Sequence, residues 1–108
     1  LKQHNKEEIE KNVGMAGDLA SDYRNSANAK ARPGYYVIVG TFFYRDFAQA
    51  EMERFINKGF GGTTWIFSET RQFNFIYTNR LDSQDQAVTK VKELQAKGYT
   101  DAWILQLK

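Results

Sequence analysis

The side chains able to do covalent or acid–base chemistry are few and poorly placed for it. The one histidine, His4, sits near the N-terminus with no candidate metal partner and reads as a solvated tail residue. There is no cysteine, which excludes a thiol nucleophile, disulfides and thiolate metal sites. No serine lies in a nucleophile-elbow pattern. Asp82 and Asp85 are spaced as a carboxylate pair, but they flank a helix start, where capping and the helix dipole already favour acids. The run Gly59-Phe60-Gly61-Gly62 follows a predicted helix instead of opening one, so it is a helix stop and not a phosphate cradle. The sequence therefore points to a non-enzyme, with no catalytic residue, no metal and no cofactor.

What the chain has in excess is aromatic rings. Eight Phe, six Tyr and two Trp make up 15% of 108 residues, and one domain of this size buries only a modest core. Some of these rings are expected on an accessible surface, as flat and rigid contacts for sugar rings, bases or apolar partner surfaces. The net charge is only +2: residues 1–34 carry six Lys/Arg against five Asp/Glu, and residues 35–108 carry nine against eight. That balance argues against a nucleic-acid partner held by counterion release. No apolar run approaches membrane-spanning length, so no direct membrane insertion by this stretch is expected. A chain beginning at Leu1 without a signal peptide reads as a mature or excised piece of a longer protein.

Residues 1–33 read as a linker or partly helical N-terminal arm. Ile9, Val13, Ala16 and Tyr23 give only a weak helical stripe, interrupted by Gly14 and Gly17, and "RNSANAKARPG" (24–34) reads as a flexible linker. From residue 34 the pattern sharpens. "YYVIVGTF" (35–42) predicts a strand, and Asp46 with Gln49 a capping box opening a helix along Ala48, Met52, Phe55 and Ile56 that stops at Gly59. "TTWIFS" (63–68) and "QFNFIYT" (72–78) predict two more strands. Ser83 with Gln86 opens a second helix along Ala87, Val91 and Leu94, ending at Gly98 before the strand "AWILQL" (102–107).

The two halves repeat at an offset of 39. Lys58-Gly59-Phe60 matches Lys97-Gly98-Tyr99, Ala48 matches Ala87, Phe55 matches Leu94 and Val37 matches Ile76. The predicted fold is α+β: a βαββαβ split-βαβ sandwich of the ferredoxin or RNP type, with a four-stranded antiparallel sheet and two helices on one face. Strand alternation turns Val37, Val39 and Ile76 toward the helices. It points Tyr36, Ile38, Phe73, Phe75 and Tyr77 to the other face, which the helices leave uncovered and which is either open or buried under the N-terminal arm, another domain or a second copy. An RNA-recognition motif also uses such a face. Here residues 71–78 fit its third-strand pattern at Arg71, Phe73, Phe75 and Ile76 but miss both small residues and the final aromatic.

With "YYVIVGTF", Ala48, "NKGF", "KELQAKGY" and "TDAWIL" in order, residues 34–108 resemble the SPOR family of peptidoglycan-binding, sporulation-related repeats, as a divergent member. The resemblance implies a non-catalytic module of the bacterial periplasm or cell envelope. It would bind peptidoglycan glycan strands that have lost their stem peptides, typically at division sites, with other envelope proteins or a second copy of itself as alternative partners. It also implies that the uncovered sheet face is the glycan site, with contacts at Ile38 and Thr41, at Phe73 and Phe75, and at Trp103. Tyr36 and Tyr77 share that face by alternation; Trp65, Arg71 and Arg80 are possible additions. The family commonly has Gln at Ile38 and a basic or polar residue at Phe75. Its usual Gly-Pro is Asn79-Arg80 here. At Ile38 and Phe75 hydrogen bonds to sugar hydroxyls would be lost and stacking area gained, which implies either a glycan site that depends more on stacking or a degenerate SPOR domain whose apolar face binds protein.

Overall fold

The computed structural model describes residues 2–17, 19–21 and 29–108. Among these the order is α1 (Lys2–Lys11), β1 (Gly14–Ala16), β2 (Ala20–Ser21), β3 (Ala29–Lys30), β4 (Gly34–Phe42) and α2 (Arg45–Asn57). There follow β5 (Thr64–Ser68), β6 (Phe73–Leu81), α3 (Gln84–Ala96) and β7 (Trp103–Leu107). The class is α+β. Residues 24–28 of the expected linker lie outside the described residues, as does Tyr23.

The helices form where the apolar spacing predicts. Ala48, Met52 and Phe55 bury one face of α2, and Ala87, Val91 and Leu94 one face of α3. Ser83 caps α3, its hydroxyl accepting from the Gln86 amide at 3.2 Å. The capping box expected at Asp46 is corrected. α2 begins two residues earlier, Tyr44 occupies the cap with no side-chain hydrogen bond, and Asp46 lies inside the first turn.

Both helices end in the same hydrogen-bonded motif. Gly59 (φ 106°) and Gly98 (φ 102°) adopt the left-handed conformation that a side chain would strain. The Phe60 amide reaches back to the Phe55 carbonyl and the Tyr99 amide to the Leu94 carbonyl, each at 3.0 Å. The rings of Phe60 and Tyr99 then meet edge to face at 5.7 Å. Lys58 lies over Tyr99 at 5.7 Å, and Lys97 over Phe60 at 5.3 Å. Since 58 and 60 become 97 and 99 under the repeat offset, each half makes to the other the contact it receives. The repeat is therefore a pseudo-twofold relation in space, with these rings on its axis.

The central strands run in the order β7-β4-β6-β5, each antiparallel to its neighbours. α2 and α3 lie on one side, over Val37, Ile76, Ile104 and Trp65. The expectation of four antiparallel strands with one bare face is corrected by the arm. β1 joins β7 in parallel, β2 joins β5, and β3 joins β2, giving a seven-stranded mixed sheet. α1 is a third helix, packed against α3 with Ile9 in the core.

Only four Cα steps separate Ala16 on β1 from Ala20 on β2, a reach of about 14 Å. The two strands are five places apart in the sheet, about 24 Å along it at the usual strand spacing. The connection closes only because the sheet curls, bringing its edges toward each other across the face opposite the helices. Arg71, in the β5–β6 turn, ties that closure by donating to the Met15 carbonyl of β1 at 3.0 Å.

Candidate binding site

The face opposite α2 and α3 collects the residues expected to share it. Tyr36, Ile38, Phe75, Tyr77, Phe73 and Trp103 belong to one apolar cluster. Thr41 pairs with Phe75 and so points to the same side. Unbroken alternation from Val37 would turn Thr41 toward the helices. Two irregularities in the β4–β6 ladder change this, leaving Thr78 and then Val39 as unpaired extra residues, and the second reverses the direction of everything after it.

Along this face the rings touch in sequence. Phe43 lies 4.5 Å from Phe73, Phe73 lies 6.1 Å from Phe75, and Phe75 lies 5.9 Å from Trp103. Tyr77 meets Tyr36 edge-on at 4.8 Å.

The middle of the row is not open. Leu19, itself 2% exposed, packs among Tyr36, Ile38, Ile66, Phe75, Leu105 and Leu107, with Ala16 and Ala31 beside it. Ile38 is 0% and Phe75 3% exposed. The Leu19 carbonyl accepts from the Ala31 amide at 2.9 Å, which locks the crossing segment to the chain entering β4. Gly14 lets β1 lie against Trp103, since a Cβ there would stand 3.0 Å from the indole. The expected open platform is therefore a second hydrophobic core, with Thr41 exposed and Phe73, Tyr77 and Trp103 half-buried at its margins. Trp103 also lines a cleft of about 420 Å³ with Glu8, Asn12, Thr100 and Asp101.

Of the three suggested additions only Trp65 falls elsewhere; Arg80, paired with Tyr36, lies on this side and Arg71 at the closure across it, but both are already engaged. Trp65 pairs with Ile76 and packs with Ala48 and Met52 beneath α2, on the opposite face. Arg71 is engaged by the Met15 carbonyl. Arg80 donates to the Pro33 carbonyl at 2.7 Å and pairs with Asp82 at 2.9 Å, so it braces the start of β4.

The Tyr36 hydroxyl donates to the carbonyl of Arg32, another tie between arm and sheet. Burial, and then the neighbouring Tyr77 phenol, push the Tyr36 pKa up to about 12, against the opposing pull of Arg80 and Arg32. Burial raises Tyr77 as well. A phenol raised in the folded state leaves stability intact below pH 10 and removes it as pH climbs toward 12, because the unfolded chain ionises first. Unfolding titrations should show the protein losing stability between pH 10 and 12, with Tyr36→Phe flattening that loss. An unchanged slope in Tyr36→Phe would contradict the assignment.

The aromatic residues that sequence reasoning missed are the exposed ones. Phe43, Tyr44 and Phe47 are 64%, 68% and 61% exposed at the β4–α2 junction. The signal was their position, since such a junction ordinarily carries turn and cap residues and here reads Phe-Phe-Tyr-Arg-Asp-Phe.

Among the described residues no group of His, Asp or Glu could hold a metal ion, and no helix is long and apolar enough to cross a membrane. In comparison with known proteins, no family model, no curated protein and no solved structure matches the chain.

Proposed function

We propose that the protein is a non-catalytic binding module of the SPOR type, acting in the bacterial cell envelope or periplasm on peptidoglycan glycan strands. The observation that carries this reading is the unbroken row of rings Phe43–Phe73–Phe75–Trp103 on the face opposite the helices. The strand order β7-β4-β6-β5 with two helices on one side supports it, as the arrangement of a split-βαβ core. Because Leu19 fills the middle of that face, glycan and arm compete for Ile38 and Phe75. The test is co-sedimentation of the whole chain with sacculi stripped of stem peptides, for the wild type and for Leu19→Asp. Binding is expected in both and tighter in Leu19→Asp; no binding by either rejects the glycan reading.

A second reading is a SPOR-type fold turned to protein interaction or dimerisation. One observation favours it: Tyr36, Ile38 and Phe75, 2%, 0% and 3% exposed, already serve as core. Mass by light scattering separates the two, since a dimer that ignores sacculi supports this second reading.

A further inference from the structure

The internal repeat supplies a control for the exposed aromatics at the β4–α2 junction. At the offset of 39, Phe43, Tyr44 and Phe47 correspond to Asp82, Ser83 and Gln86 at the β6–α3 junction. The second half makes the same strand-to-helix passage with three exposed polar residues, one of them a working cap. The fold therefore does not need aromatic rings here. Tyr44 even stands at a cap position without a capping bond, where Ser, Thr, Asp or Asn is the stabilising choice. Rings kept at a cost to local stability mark a site of use.

The platform is also held rigid. Asn74, 2% exposed, donates through its amide to the carbonyls of Phe42 at 3.1 Å and Phe43 at 3.3 Å. Those bonds fix the turn, and Phe43 rests on Phe73 at an interplanar angle of 35°. Tyr44 and Phe47 meet edge to face at 5.9 Å. The arm, which covers Ile38 and Phe75, leaves these three rings uncovered.

We infer that Phe43, Tyr44 and Phe47 form a preformed sugar-stacking platform, the outer subsite at which a glycan strand docks while the arm is still in place. This rests on the glycan reading above. Two arguments choose a sugar ring over a second copy of the chain. Taking about 200 Å² for each aromatic side chain, the three expose roughly 400 Å², half of what one partner contributes to a standard protein interface. The platform also continues into the Phe73–Phe75–Trp103 row through the Phe43–Phe73 contact, so a strand docked there is aligned with the covered face.

The experiment places the second half's own residues in the first, as Tyr44→Ser/Phe47→Gln in the whole chain, with Phe47→Gln alone as the milder variant. Affinity for stripped sacculi, melting temperature and solution mass are measured together. The expected result is a loss of about tenfold or more in affinity with the melting temperature unchanged or a few degrees higher, since Ser restores a cap. Wild-type binding that both variants retain in full overturns the platform and leaves the glycan reading standing. A wild-type dimer that the double variant dissociates overturns it by making a second copy the occupant. If neither the wild type nor Leu19→Asp binds sacculi, the glycan reading fails and takes the platform with it.

Discussion

Leu19→Ala should lower the unfolding free energy by about 2–5 kcal/mol, the range for emptying a leucine-sized site that cannot fully collapse. Leu19 is 2% exposed and enclosed by side chains from β4, β5, β6 and β7, strands held by their own ladders and not free to close on the space. Leu19→Asp should have a different outcome. An unpaired carboxylate among Tyr36, Ile38 and Phe75 costs more than the short β2 and β3 pairings return, so the segment crossing that face should leave while α1, held by Ile9 in the helix-side core, stays. Hydrogen exchange distinguishes these outcomes. In Leu19→Asp the Ala31 amide, now bonded to the Leu19 carbonyl, should lose protection while amides of β4 and β6 keep theirs. Were the arm only a tether, both substitutions would change stability by less than about 0.5 kcal/mol, as at ordinary surface positions.

The arm was the part of the fold hardest to read from the sequence, and the reason is physical. β1 is three residues long and β2 and β3 two each, too short to show alternation, and Gly14 and Gly17 speak against regular structure. Their pairing is fixed by the sheet edges they meet, β7 and β5, which lie far along the chain. The helices and central strands were legible because each carries its own period, its stop glycine and a second copy at an offset of 39. At the site, Tyr36, Ile38, Phe73, Phe75 and Tyr77 were legible as one face by alternation alone. Thr41 was not, because the bulge at Val39 reverses its direction and a bulge leaves no trace in apolar spacing. Trp65 was ambiguous until its register with Ile76 placed it under α2. Tyr44 was hidden for a different reason: a cap position is expected to look like Ser83, and the one sign against that was the run of rings at the β4–α2 junction.

Phe75→Ala should destabilise the protein by about 3–5 kcal/mol, while Phe73→Ala, at the half-open end of the same row, should cost clearly less. Phe75 is 3% exposed between Phe73 and Trp103, with Leu19 packed in the same cluster, so its removal opens a cavity bounded by both the arm and the sheet. This changes what a binding assay on Phe75→Ala can mean. Loss of glycan binding by that variant follows equally from a lost stacking ring and from a loosened core. Phe75→Leu separates the two, because leucine keeps most of the apolar volume and removes the ring. Denaturant unfolding should place Phe75→Leu within about 1.5 kcal/mol of the wild type. Weaker sacculus binding in that stably folded variant assigns Phe75 a contact role once the arm has moved. Binding equal to the wild type assigns it to the core alone, and the glycan contact then lies toward Phe73 and the open end of the row.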